Sequence, residues 1–311
     1  MGALLYFAYA HARCLDCTRP YAMRTVAVVQ PVLIFTMLFL TFCKIDARTL
    51  RFRRVHIWLL LIQMASFVSL GLWLYEFPDF SGRLMVEGAM LCIVCPTATA
   101  AAVVTLKLHG DSADITAYTI WDNLFVSVAV PLVVPLVHPH EHLDFLPSFL
   151  LILHKVFPML IFPLVAAQVV RHYFPRLCAA ITSVRDLAFY IWAVSLSIAI
   201  AVSTRSLMHA SCTWRTIAGL AMVSLVCCAF QFALGRHLGK CYGTPISSGQ
   251  SMGQKNTVFA IWMGYTFMNP VTSIAGGFYS IWHNLYNTWQ LDRMRRADAK
   301  KAECSTCADA H

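Results

Sequence analysis

Long apolar runs alternate with short polar connections along the whole chain. Complete runs cover 25–43, 57–75, 88–106, 115–137, 146–170, 187–204, 216–235, 247–268 and 272–291. Runs near twenty residues are long enough to cross a bilayer as helices. The pattern therefore predicts nine spans. Residues 2–10 are apolar too, but only half the required length, and read as the end of a truncated first helix. The connections are polar: 13–24, a basic loop at 44–54, an acid-containing link at 76–87, a histidine-rich link at 138–144, and basic loops at 171–186 and 236–240.

Two spans depart from the pattern. In the first, Pro96 follows Cys95 and precedes the small-residue run Thr97-Ala98-Thr99-Ala100-Ala101-Ala102. Proline removes a backbone donor and clashes with the preceding turn, so a break near Cys95 is expected. The second departure lies within 241–291, where Lys255 is the only formally charged side chain. Around it runs Ser247-Ser248-Gly249-Gln250-Ser251-Met252-Gly253-Gln254-Lys255-Asn256-Thr257. At membrane depth these amides, hydroxyls and the ammonium must face protein or a water-filled cavity, because lipid satisfies none of them.

Composition agrees with this picture. The 311 residues are 59% hydrophobic and 13% charged, about half the charged share of a soluble domain. Mean hydropathy is +0.63. The net charge of +9 does not form a nucleic-acid surface, since the basic residues sit between apolar runs. Most cysteines inside runs (Cys43, Cys92, Cys95, Cys227, Cys228) read as small apolar filler. The pairs Cys14/Cys17 and Cys304/Cys307 are each too isolated for a zinc site. His138, His140 and His142 could hold a metal, but such a cluster is more simply a solvated loop. Nothing resembles a hydrolytic or redox centre, so neither an enzyme nor a bound cofactor is expected.

Lys and Arg set the orientation. With 44–54 in the cytoplasm, sixteen Lys/Arg fall on the cytoplasmic side and six outside, with Lys155 and Lys255 inside spans. The tail from Asp292, with Arg293, Arg295, Arg296, Lys300 and Lys301, is then cytoplasmic. The chain is expected in the plasma (inner) membrane as a monomer or homodimer.

An internal echo sharpens the reading. Ile120-Trp121-Asp122-Asn123-Leu124 returns 161 residues later as Ile281-Trp282-His283-Asn284-Leu285. Each copy follows an interrupted span, and the two copies run in opposite directions. Paired interrupted segments in inverted halves point to a transporter's binding site.

The run Cys95-Pro96-Thr97-Ala98-Thr99-Ala100-Ala101-Ala102-Val103-Val104-Thr105, with Gly110-Asp111 and Asn123, resembles the first crossover of the bile acid:sodium symporter superfamily. Gln254-Lys255-Asn256 and Trp282-His283-Asn284-Leu285 resemble its second crossover and last helix. The likeness covers about 30–290. It implies an all-α polytopic membrane protein of two inverted five-helix repeats, with two crossing broken helices and a core that moves against a panel. The expected division is 1–24, a partial first helix and its connection; 25–137, the first repeat (panel 25–43, core 57–137 with broken helix 88–106); 145–291, the second (panel 146–204, core 216–291 with broken helix 247–268); and 292–311, the tail. It also implies an organic-anion substrate such as a bile acid or carboxylate, moved by alternating access. The arsenite exporters share the architecture; for that alternative, Cys95 would be the reactive thiol. A transport-inactive receptor or sensor is a further alternative.

Where the family keeps sodium-binding oxygens, this sequence departs. Ser-Asn of the first crossover corresponds to Ala101-Ala102, Glu of the second to Ser251, and its Gln to Lys255. A serine before the family's Asn corresponds to Asp122. Methyl groups cannot ligate sodium. The expectation is that the Lys255 ammonium stands in for sodium and pairs with Asp122, leaving coupling to protons or to no ion. Asn256, Asn123, Thr99, Ser251, Gln254, Thr257, His283 and Asn284 complete the candidate substrate or ion site. For these polar groups, backbone satisfaction at helix breaks is an equal reading. Trp121 and Trp282 read as packing, and Lys155 as a snorkelling side chain or the edge of a substrate vestibule.

Overall fold

The computed structural model describes residues 2–12, 18–45, 50–139, 144–184, 187–209 and 212–308. Cys14, Cys17, His140 and His142 lie outside the described residues, as do the side chains of Cys304 and Cys307. The described chain is an all-α polytopic membrane protein of thirteen helices. They are α1 (Gly2–His11), α2 (Arg19–Cys43), α3 (Arg54–Glu76), α4 (Arg83–Val94), α5 (Ala101–Lys107), α6 (Ser112–Val137), α7 (Phe145–Tyr173), α8 (Pro175–Ser183), α9 (Leu187–His209), α10 (Trp214–Cys241), α11 (Pro245–Gly253), α12 (Thr257–Phe267) and α13 (Ser273–Ala308).

Six of these are long and apolar enough to cross a membrane unbroken: α2, α3, α6, α7, α9 and α10. The two runs expected to break are the pairs α4/α5 and α11/α12, and the last run is the first part of α13. The outward surface fits lipid. On α3, Ile57, Trp58, Leu61, Val68, Leu72, Trp73 and Tyr75 are all exposed, with aromatic residues gathered toward its ends. Trp and Tyr favour the two membrane interfaces, where an apolar ring and a polar atom are both accommodated.

Three boundaries differ from the sequence pattern. The polar connection 13–24 is helical from Arg19, because proline at the first turn has no hydrogen bond to lose and its φ suits the helix. The basic loop 171–186 contains α8, again opened by a proline at its start. The tail beyond Asp292 continues α13 instead of leaving it, and an i,i+4 ion pair, Arg296 to Asp292 at 2.8 Å, lies on that stretch.

α2 packs on α7 and α9, and α1 on α9. α3, α4, α6, α10, α11 and α13 pack on one another. The two sets are joined where α6 packs extensively on α7 and α9 on α13, and α12 lies between them, packed on α13 and α9 with lesser contacts to α2 and α4. Close approach needs glycine at two points on α10: a Cβ on Gly235 would lie 2.4 Å from the Ser248 carbonyl oxygen, and one on Gly239 2.6 Å from that of Thr244. Small residues of this kind let helix backbones meet inside membranes.

Candidate functional site

The site is the place where the two interrupted spans cross. Pro96 sets the first break. Cys95 takes φ −54° and ψ 135°, the extended state that a following proline enforces, and α4 stops at Val94. The second break has no proline. Gln254 and Asn256 leave helical geometry at ψ 89° and 86°, and α12 restarts under an Asn256 cap, whose Oδ1 accepts from the Phe259 N–H at 3.2 Å.

The freed backbone groups satisfy one another. Thr97 and Lys255 face each other as one antiparallel bridge pair. The Ala98 N–H donates to the Gln254 carbonyl at 2.8 Å, and the Asn256 N–H to that of Pro96 at 2.7 Å. Non-helical backbone at membrane depth survives when protein meets its hydrogen bonds, and here each break serves the other. α12 begins at this crossing, which places its partially positive N-terminus beside Lys255.

Asp122 on α6 ties the crossing to the surrounding helices. Its carboxylate is fully buried. It accepts from the Thr97 N–H at 2.7 Å, the Thr97 hydroxyl at 3.0 Å and the Gln63 amide of α3 at 2.9 Å. The Gln63 Oε1 in turn accepts from the Tyr118 hydroxyl at 2.9 Å. The Thr97 hydroxyl also lies 2.8 Å from the Ser251 carbonyl of α11. One hydroxyl carries one proton and cannot donate to both acceptors.

Lys255 is 1% exposed, and its ammonium has no hydrogen-bond partner among the described residues. The expected direct pair with Asp122 does not form; the Asp122 oxygens accept from Thr97 and Gln63 instead. An ammonium buried without a contacting anion is costly, so this arrangement is one that a ligand or a proton transfer would relieve.

The other candidates divide. Gln254, Asn256, Ser251 and Thr257 are buried at or beside the second break, and the Gln254 Oε1 and Asn256 Nδ2 have no partner among the described residues. Thr99 is half-buried within the first break. Asn123 is buried; its amide donates to the Thr119 carbonyl of its own helix, and its Oδ1 has no partner among the described residues. His283 is buried, its Nδ1 likewise without a partner among them, its ring edge-on to Tyr279. Asn284 is exposed and donates to the Ser280 carbonyl of its own helix, so the structure does not bring it to the crossing pair.

Thr97, Gln63, Tyr118, Gln231 and Tyr279 were not singled out in the sequence. A usable signal existed: Tyr279 stands 161 residues after Tyr118, the spacing of the Trp-containing echo. Both glutamines reach a tyrosine and a carbonyl near the first break, with the tyrosine bond reversed. The Gln231 amide donates to the Tyr279 hydroxyl at 3.2 Å and to the Cys92 carbonyl at 3.2 Å, whereas Gln63 accepts from the Tyr118 hydroxyl and donates to the Val94 carbonyl at 3.4 Å. Tyr279 then donates to the Gly253 carbonyl at 2.8 Å, at the end of α11.

No family model matches the chain. It is similar to a protein of Bacillus subtilis (strain 168) described as an uncharacterized sodium-dependent transporter, YocS. The two are 24% identical over 204 residues, 64% of this chain and 60% of that protein. The match thus leaves a good third of each chain uncovered.

Proposed function

We propose that the protein is a secondary transporter of a small organic anion, of the bile acid:sodium symporter type, in which the Lys255 ammonium occupies the role of a sodium ion. One observation carries this reading: the two broken helices cross at a backbone pair whose member Lys255 is buried, with its Nζ without a hydrogen-bond partner among the described residues. The similarity to a protein named as a sodium-dependent transporter supports the class. The 161-residue spacing that relates Tyr118 to Tyr279, and Trp121 to Trp282, supports inverted halves.

The ammonium supplies permanently the positive charge that a mobile cation would bring. The N-terminus of α12 beside it adds to that charge, and together they favour a carboxylate or other anion. Sodium would need oxygen ligands, and Ala101, buried at the start of α5, offers only a methyl group. The shared Thr97 hydroxyl suggests how a proton could take part. With that hydroxyl donating to Ser251, a proton on Asp122 would complete the remaining 3.0 Å contact.

The test is uptake of labelled taurocholate and pyruvate into proteoliposomes. The expected result is accumulation of at least one probe, faster with the outside acid, and loss of that acid stimulation in Asp122→Asn. Absence of uptake for both probes, or acid stimulation unchanged in Asp122→Asn, contradicts the reading.

A further inference from the structure

Away from the crossing, a pocket opens where the apolar part of α13 gives way to its charged part. Tyr286, Trp289, Gln290 and Arg293 are spaced at three and four residues, so they share one side of that helix. The last three line an open pocket of about 330 Å³ together with Arg236 of α10, Ile246 of α11 and Leu108 at the end of α5.

Two guanidinium groups frame this pocket, and their neighbours fix where they stand. Arg236 is half-buried. Its stem crosses α11 at Gly249, where an added Cβ would lie 2.6 Å from the Arg236 Cγ. Its Nη2 donates to the Gln290 Oε1, and its guanidinium lies 5.8 Å from the centroid of the Tyr286 ring. Gln290 is itself buried, with Nε2 directed at the Asn287 Oδ1 at 3.5 Å. Arg293 is exposed and lies 5.6 Å from the centroid of the Trp289 ring. The Tyr286 and Trp289 rings stack, 5.6 Å apart and 26° between planes. Rings and an amide orient the two cations without neutralising them. Neither arginine has an ion pair among the described residues. The acids on this stretch of α13 are engaged elsewhere: Asp292 with Arg296 at 2.8 Å, and Asp298 with His109 at 3.5 Å.

We propose that this pocket binds the phosphate of an anionic phospholipid, with Arg236 and Arg293 as its cationic walls. A guanidinium offers phosphate oxygens paired, charge-assisted hydrogen bonds, and most donors of both groups are unspent. The level also fits a lipid headgroup. The pocket lies where α13 passes from an uncharged run to Arg293, Arg295 and Arg296, and exposed Trp289 suits that boundary. Basic pockets between spanning helices on the Lys/Arg-rich side hold such headgroups. Leu108 and Ile246 give the pocket an apolar wall, which a lipid's glycerol and first methylenes can cover and a small soluble anion cannot. A bound headgroup would tie α10, α11 and α13 together at the end of α11 away from the crossing. The site is separate from the crossing and independent of the transport reading.

The test is thermal unfolding of the purified chain in detergent micelles carrying dioleoyl phosphatidylglycerol, dioleoyl phosphatidylcholine, or neither lipid but inorganic phosphate in the buffer. The expected result is a Tm raised by several degrees with phosphatidylglycerol alone, because a ligand of the folded state stabilises it. Arg236→Gln with Arg293→Gln removes that rise. Lys240→Gln with Arg295→Gln takes the same charge from the same two helices at exposed positions outside the pocket, and keeps it. If the pocket pair fails to fold, exposed Arg293→Gln alone serves, and the rise falls by about half or more as one of the two charged contacts is lost. Four results overturn the proposal: an equal rise with phosphatidylcholine, an equal rise with inorganic phosphate, a rise untouched by the pocket variants, or an equal loss in the charge-matched pair. Native mass spectrometry checks occupancy directly. A phosphatidylglycerol adduct kept by the parent chain and mostly lost from the pocket variant supports the site, and equal retention overturns it.

Discussion

Asp122 and Lys255 are both buried at the crossing and do not touch. Asp122 bonds the first break through Thr97, while Lys255 is held by the backbone pairing of the second. Opposite charges on the two would offset each other's burial. Asp122→Asn and Lys255→Met should therefore each destabilise the protein, while the double variant should be more stable than the two losses predict. A coupling of about 1 kcal/mol or more is expected from unfolding in detergent, and simple additivity would show the charges to be independent. Tyr118→Phe removes one buried hydrogen bond to Gln63 and should cost about 1 kcal/mol in the same measurement. The two charges stood out in the sequence because charge is rare in apolar runs. Gln63 and Tyr118 did not, because an amide or a phenol inside an apolar run is common, and only a partner from another helix gives it meaning.

At the scale of elements, the breaks were legible for different reasons. Pro96 announced the first through its own geometry, and the structure places the break at the residue the proline constrains. The second was legible only as a concentration of polar side chains, and its position is fixed by the Asn256 cap and the pairing with Pro96 and Ala98. Asn256→Ala should cost about 1 kcal/mol by uncapping α12, with Asn256→Asp retaining most of the cap; equal losses in both would contradict a capping role. The seat of α11 is sensitive to bulk on α10. Gly235→Ala places a methyl 2.4 Å from the Ser248 oxygen, so α11 must shift. Loss of monodisperse protein or a Tm lowered by several degrees is expected, and unchanged stability would show the approach to be slack. α8 escaped the sequence pattern because its nine residues are too few to read as a span, and the extension of α13 because it is too charged; helix formation there does not need membrane burial.

For the whole molecule, the apolar pattern gave the class and most of the span positions, because lipid allows few alternatives to helices. It did not show which helices pack together, since faces turned to lipid and faces turned to protein are equally apolar in sequence. Function divides in the same way. The crossing could be anticipated from two interruptions, whereas the pocket that gathers Leu108, Arg236, Ile246 and Arg293 joins residues from distant parts of the chain. The similarity to a protein named for sodium dependence makes the cation the decisive question. The most direct measurement is the initial rate of uptake into proteoliposomes with external sodium replaced by N-methylglucamine at constant pH and ionic strength. A tethered ammonium in place of sodium predicts equal rates with and without sodium, and loss of uptake in Lys255→Gln in either medium. Uptake that requires sodium in the wild-type chain would contradict it.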